Sequence, residues 1–136
     1  MGSTCLGMPP WMPPVDTIAV LPVAEWWDII VAPQTLGLAA LEILDLGSDR
    51  APGPVLWEPM GPIPRLQFLV PTGTSDGWSV PHTSALGVAC FIGVPGPTTL
   101  EPPGIHWLVP PDPDNPEALV DAAALRQALL NPAPAS

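Results

Sequence analysis

The sequence predicts a single α+β domain in which two amphipathic helices pack on one face of a mainly antiparallel sheet of four to five strands. The length of 136 residues fits one domain. An apolar content of 47% with six tryptophans supplies a core, despite 23 prolines and 12 glycines. Short apolar runs punctuated by Pro and Gly lie between two segments with helical periodicity. We assign residues 16–131 to this domain, 1–15 to a flexible proline-rich N-terminal arm and 132–136 to a flexible tail.

The N-terminal arm reads MGSTCLGMPPWMPPV and shows neither a helical nor a strand period. Because proline has no amide N–H and fixes its own backbone angle, this composition predicts an extended segment. Trp11 lies within the arm, where its ring is available to dock on another surface.

A strand and a helix are predicted next. Residues 27–31 (WDIIV) form a short β-rich run. From Pro33 onward apolar residues recur at steps of three and four, which predicts a helix that Gly47 would end. The apolar face of this helix carries Leu36, Ala40, Ile43 and Leu44.

Beyond residue 54 the pattern changes to short apolar runs separated by Pro and Gly. Four such runs, at 55–57, 66–70, 88–94 and 105–109, predict strands of an antiparallel meander. In the last of them, alternation places His106 and Leu108 on one face, so a partly buried histidine bonded to backbone is expected.

The C-terminal helix is predicted to begin at Asn115. The Asn115 side chain can cap the helix, Pro116 suits its first position, and Glu117 places negative charge near its positive end. Asn131 and Pro132 would end it. The apolar face then carries Leu119, Ala122, Ala123, Leu125, Leu129 and Leu130.

The charge balance excludes several functions. Lys and Arg together number 3, Asp and Glu 13, and the formal charge is −10. A protein that binds nucleic acid by neutralising phosphates makes about 6 to 10 such contacts, so direct nucleic-acid binding is not expected. Prolines interrupt every candidate membrane span, and the N-terminus lacks the positive region of a secretory signal. We therefore expect a cytoplasmic protein with no membrane contact.

The reactive side chains form no recognisable motif. Cys5 and Cys90 are too far apart for a metal clip or a disulfide framework. No His or Cys spacing matches a zinc site, and no phosphate-binding glycine loop occurs. We expect no metal, no cofactor and no assembled catalytic residues.

The aromatic residues are the best candidates for binding. Large aromatic side chains serve either as core or as docking anchors. Trp107 is expected in the core, whereas Trp78 sits beside Asp76 and Gly77 in a loop-like stretch. The candidate partner-binding residues are Trp11, Trp57, Trp78, Arg65 and His82.

One stretch resembles a known family. The runs PRLQF (64–68), VPTG (70–73), LGVACFIGVP (86–95) and GIHW (104–107) resemble the second half of bifunctional primase-polymerase N-terminal domains. The resemblance spans about residues 54–110. The chain resembles more closely still small actinomycete proteins that carry a degenerate version of the module. The Ala/Pro/Gly/Leu-rich, lysine-free composition is typical of a high-GC genome.

The resemblance implies a scaffold without the family's chemistry. Where the family places its histidine this chain has Arg65 or Leu66, and where an aspartate precedes Arg and Gly it has SALG (84–87). Polymerisation needs carboxylates for two metals and a basic cradle for the triphosphate. Residues 1–53 are too short and too proline-rich to hold the earlier acidic pair. The resemblance therefore implies an inactive descendant.

Three functional hypotheses follow. The first is a small, acidic, non-catalytic and regulatory protein that binds another protein, with a basic or DNA-binding regulator as the partner that its charge suggests. Homo-oligomerisation is left open. The second is a small enzyme that uses His106 or His82 with a carboxylate as general acid and base. The third is residual binding of nucleotides or single-stranded DNA, with a strong salt dependence.

Overall fold

The computed structural model confirms the α+β class. It describes residues 9–46, 53–60, 62–101, 104–112, 115 and 117–130. Within those ranges lie the strands β1 (Ile18–Pro22), β2 (Asp28–Pro33), β3 (Val55–Glu58), β4 (Arg65–Val70), β5 (Ser84–Leu86), β6 (Phe91–Pro95) and β7 (His106–Val109), and the helices α1 (Gln34–Leu46) and α2 (Ala122–Leu130). Several predicted features lie outside the described residues: positions 1–8, Gly47, Pro116 and 131–136.

The strands form two antiparallel sheets. The larger has five strands in the order β5-β2-β4-β3-β7, and the smaller pairs β1 with β6. The predicted meander is therefore wrong in its connectivity. Strand β2 buries Ile29 and Ile30 on opposite faces and takes an interior place beside β4, as a continuous apolar run requires. Strand β6 leaves Phe91 exposed, buries Ile92, Val94 and Pro95, and pairs with β1 outside the larger sheet.

The helices cover one face of the five-stranded sheet. Ile30 of β2 and the alternate residues Leu66 and Phe68 of β4 point to this face. They pack in one cluster with Ala40 of α1 and Leu125 of α2. The prediction that two helices pack on one face is confirmed, and the helices also contact each other.

The other face is partly covered by the pair β1 and β6, which we call the ribbon. Ile29 and Leu69 of the large sheet pack there with Trp27, Trp107 and other residues of a second core. Trp11 belongs to this core: it is 8% exposed, and its ring centroid lies 5.5 Å from that of Trp27 and 5.9 Å from that of Trp107. The predicted arm is thus wrong for residues 9–13, because their aromatic ring completes the second core.

The second helix begins later than predicted. Asp121 caps it by accepting hydrogen bonds from the amides of Ala123 (2.9 Å) and Ala124 (3.2 Å). Asn115, the predicted cap, instead forms an isolated bridge with Asp112. The amide of the buried Val120 donates to the carbonyl of Leu69 at 2.8 Å, and this bond to β4 holds the preceding segment out of the helix.

A buried carboxylate fixes the loop after β4. Asp28 is buried, and its Oδ2 accepts hydrogen bonds from the amides of Gly73 (3.0 Å) and Ser75 (2.9 Å). Two backbone donors on one carboxylate oxygen tie residues 71–77 to the start of β2. Of the helices that the structure describes, none combines the length and apolar character needed to cross a bilayer.

Candidate functional site

The five predicted binding residues lie in separate parts of the fold. Trp11 lies in the second core, so it offers no surface to a partner. Trp57 and Trp78 pack against the helix-side core and are half-buried. Only Arg65 and His82 come together, at one cleft. The predicted tryptophan contact surface is therefore wrong for Trp11, which the ribbon-side core requires.

Trp57 and His106 are paired on the helix side of the sheet. Their ring centroids lie 5.3 Å apart across the β3–β7 pair. Trp57 Nε1 donates to Gln34 Oε1 at 2.9 Å, and His106 Nδ1 donates to the Gly104 carbonyl at 2.8 Å. The expectation of a buried, backbone-bonded His106 is confirmed. Since His82 lies at the cleft on the other face, the structure does not bring the two histidines together.

Trp78 is held by its own loop. Its Nε1 donates to Thr83 Oγ1 at 2.9 Å, and that hydroxyl donates to the Val80 carbonyl at 2.8 Å. The ring packs against the helix-side core. Its indole N–H is thus already used within the molecule.

The cleft lies on the ribbon side of the five-stranded sheet and has a volume of about 380 Å³. Strands β2, β3, β4 and β5 supply its floor because Val31 pairs with Ser84, Pro33 with Arg65, and Arg65 with Glu58. The segments before β4 and before β5 form its walls. The lining residues are Val31, Pro33, Glu58, Met60, Pro62, Ile63, Arg65, His82 and Ser84.

Three polar side chains of β3 and β4 form a network at the cleft. Arg65 Nε donates to Glu58 Oε1 at 2.6 Å, and Gln67 Nε2 donates to the same oxygen at 3.3 Å. Gln67 is buried, whereas the side chains of Arg65 and Glu58 are 49% and 33% exposed. The network fixes Glu58 from its buried side and leaves the ion pair facing the cleft.

His82 stands at the cleft wall with an unusual backbone. It is exposed and has a φ of 66°, in the left-handed region that histidine enters more readily than most side chains. Among the described residues no hydrogen bond joins His82 to Glu58 or Ser84, and no group of three or more His, Cys, Asp or Glu side chains is placed to hold a metal ion. The arrangement as it stands offers binding groups and lacks an aligned base and nucleophile.

A second surface feature was missed by the sequence reasoning. The outer face of the ribbon carries Ile18 and Val20 of β1 and Phe91 of β6, while the alternate residues point to the core. Val20 is 72% and Phe91 65% exposed. At the end of the ribbon, Trp26 is 42% and Val88 86% exposed. We call these five residues the apolar ribbon face.

The turns that carry Trp26 and Val88 meet at that end of the ribbon. The amide of Val23 donates to the carbonyl of Cys90 at 2.8 Å, which joins the turn carrying Trp26 to the turn carrying Val88. In IAVLP (18–22) and FIGVP (91–95), apolar residues occupy the positions that point outward as well as those that point to the core. This pattern is the sequence signal for the face. A strand with one solvent face normally alternates with polar residues.

The charge around the apolar ribbon face is negative. Asp16 and Glu25 flank β1 and are both exposed. Neither residues 13–27 nor 87–97 contain Lys or Arg. Of the arginines that the structure describes, Arg65 lies in the cleft and Arg126 on α2, which packs on the opposite side of the sheet.

No family model, no curated protein and no solved structure matches this chain. The resemblance to primase-polymerase N-terminal domains stays a prediction.

Proposed function

We propose that this chain is a non-catalytic regulatory protein that binds a basic partner protein through the apolar ribbon face. The observation that carries the proposal is the outward set of large apolar side chains on β1 and β6, with Val20 72% and Phe91 65% exposed. Monomeric proteins seldom expose contiguous apolar patches beyond a few hundred Å² without an interaction role.

The shape of the face suits docking by a folded partner. Two paired strands hold Ile18, Val20 and Phe91 in fixed register, since Ile18 faces Pro95 and Pro22 faces Phe91. Side chains presented from a sheet lose little freedom on binding, which favours affinity. Trp26 and Phe91 are aromatic anchors of the kind that dominates binding energy at interfaces.

The charge specifies a basic partner. The chain carries a formal charge of −10, and Asp16 and Glu25 border the apolar ribbon face. A partner with a positive rim gains electrostatic attraction and a faster association. A second copy of this chain would bring the same negative groups to the interface, and a surface of anionic lipid would repel them.

The experiment starts from a photo-crosslinking residue placed at position 20 in living cells, followed by identification of the protein joined to it. Binding is then measured with both proteins purified. We expect Val20→Ser and Phe91→Ser each to weaken binding about tenfold or more, because each removes buried apolar area at the interface. Leu130→Ser is the matched control, since Leu130 is 41% exposed on α2.

Salt dependence tests the charge argument. The Kd of the wild-type pair should rise as the salt concentration increases, because screening weakens the attraction. The proposal is refuted if both ribbon variants bind the purified partner as tightly as Leu130→Ser does. It is also refuted if the chain forms a dimer or adsorbs to lipid vesicles through this face in place of a basic protein.

A further inference from the structure

We propose that the cleft beside the Glu58–Arg65 pair is a binding site for a small uncharged ligand that carries an amide group and an aliphatic substituent. This site lies on different residues from the apolar ribbon face, and the inference does not depend on the proposed function. It follows from the hydrogen-bonding groups of the cleft, their charge, and the apolar surface around them.

The cleft presents a donor and an acceptor side by side. Within the described part of the chain, the Arg65 guanidinium donates a single hydrogen bond, from Nε, so its terminal N–H groups remain for a ligand. Both bonds received by Glu58 fall on Oε1, which leaves Oε2 as an acceptor. An amide carries one acceptor and one donor a few ångströms apart, and it can satisfy both groups together.

The pair is held in place before any ligand arrives. Glu58 and Arg65 are register partners in the β3–β4 ladder, and the buried Gln67 bonds the same carboxylate oxygen that Arg65 contacts. A site whose polar groups are already positioned loses less side-chain freedom on binding. The Glu58–Arg65 pair is therefore suited to recognition of a small molecule.

Charge selects an uncharged ligand. The cationic Arg65 and the anionic Glu58 cancel at the cleft. A carboxylate ligand would face the Glu58 carboxylate, whereas an ammonium ligand would face the Arg65 guanidinium. An amide meets neither repulsion.

Apart from His82 and Ser84, the remaining lining of the cleft is apolar, and the cleft is of ligand size. The apolar part of the floor is formed by Val31 and Pro33, and the apolar part of the wall by Met60, Pro62 and Ile63. A volume of about 380 Å³ falls within the range of small-molecule sites. An aliphatic side chain would bury itself against these residues while the amide meets the ion pair.

NMR titrations of the ¹⁵N-labelled chain test the inference with three probes that share one side chain. N-acetyl-L-leucinamide is uncharged, N-acetyl-L-leucine is a carboxylate, and L-leucinamide is a cation. We expect the uncharged probe to shift the Arg65 Nε–H and Ser84 amide resonances saturably, with a Kd of about 2 mM for a ligand of this size. Each charged probe should bind at least about tenfold more weakly.

Substitution of Glu58 should invert the preference. In Glu58→Gln the Arg65 charge is no longer balanced, so N-acetyl-L-leucine should gain more in affinity than the roughly tenfold factor by which the wild type disfavours it, and should overtake the uncharged probe. Arg65→Ala should abolish saturable binding of both. Arg126→Ala removes an exposed arginine on α2 and should bind all three probes as the wild type does.

Three outcomes overturn the inference. The first is the absence of saturable shifts at Arg65 or Ser84 up to the solubility limit of N-acetyl-L-leucinamide. The second is equal binding of the three probes to the wild type. The third is an unchanged order of affinities in Glu58→Gln, since that order is what the neutral ion pair is expected to set.

Discussion

Trp11→Ala is expected to destabilise the protein severely, although composition alone places Trp11 in an arm. The side chain is 8% exposed, and its ring packs edge-on to Trp27 at 5.5 Å and tilted to Trp107 at 5.9 Å. Truncation of a buried tryptophan removes its apolar burial and leaves a cavity between these rings. We expect a loss of about 3 to 5 kcal/mol in the free energy of unfolding.

Urea unfolding and thermal melting followed by near-UV circular dichroism measure that loss. With an unfolding entropy of about 2.1 cal/mol/K per residue, it corresponds to a fall in Tm of about 10 to 17 °C for a chain of this length. Trp26→Ala is the matched control: Trp26 is 42% exposed, so its truncation should cost less than about 1 kcal/mol. Equal, small effects of both substitutions would refute the placement of Trp11 in the core.

Three further substitutions test local features. In urea unfolding, Gly53→Ala should lower the free energy of unfolding by about 2 kcal/mol more than Gly73→Ala does. Both glycines have a positive φ. A Cβ on Gly53 would lie 2.7 Å from the backbone nitrogen of Val120, whereas a Cβ on Gly73 would meet nothing within 4 Å. Asp121→Ala should cost about 1 kcal/mol through loss of the helix cap, and Asn115→Ala much less. Asp28→Asn should cost about 1 to 3 kcal/mol and speed amide exchange in residues 73–75.

A specific result would contradict each of these three predictions. Equal costs for Gly53→Ala and Gly73→Ala would mean that the backbone contact at Gly53 is absent. A larger loss of unfolding free energy for Asn115→Ala than for Asp121→Ala would indicate that α2 begins at Asn115, as the sequence predicts. Unchanged exchange rates at 73–75 in Asp28→Asn would show that this carboxylate does not anchor the loop.

Local periodicity predicted most of the secondary structure. The steps of three and four residues that predict a helix after Pro33 correspond to α1, and the apolar runs near residues 55, 66 and 105 correspond to β3, β4 and β7. Strand β5 has only three residues, in a stretch rich in Ser, Thr and Pro, so it carries no period to detect. Strand β1 was not predicted, and Pro22 lies within it.

Long-range pairing is what sequence reasoning missed. Nothing local to residues 91–95 indicates that they pair with 18–22 and leave the main sheet. The start of α2 was misplaced for a similar reason, because the amide of Val120 bonds to Leu69 across the fold. Contacts of this kind depend on tertiary structure and override local capping preferences.

For the candidate sites too, the sequence indicated individual residues but not the tertiary contacts that bury them or bring them together. Arg65 and His82 were selected as polar candidates, and the strand order places both at one cleft through the pairings of Pro33 with Arg65 and Val31 with Ser84. Trp11 was selected because it lay in a proline-rich stretch, but residues remote in sequence bury it. The apolar ribbon face was not predicted, since exposure depends on which side of β1 and β6 the core occupies.

A methyl NMR titration with the purified partner decides whether the apolar ribbon face is the docking surface. In a chain labelled at its Ile, Val and Leu methyl groups, we predict that the partner shifts the resonances of Ile18, Val20 and Val88 and leaves those of Leu130 unchanged. Shifts centred on Leu130 and α2, with Ile18 and Val20 unmoved, would contradict the docking of the partner on the ribbon.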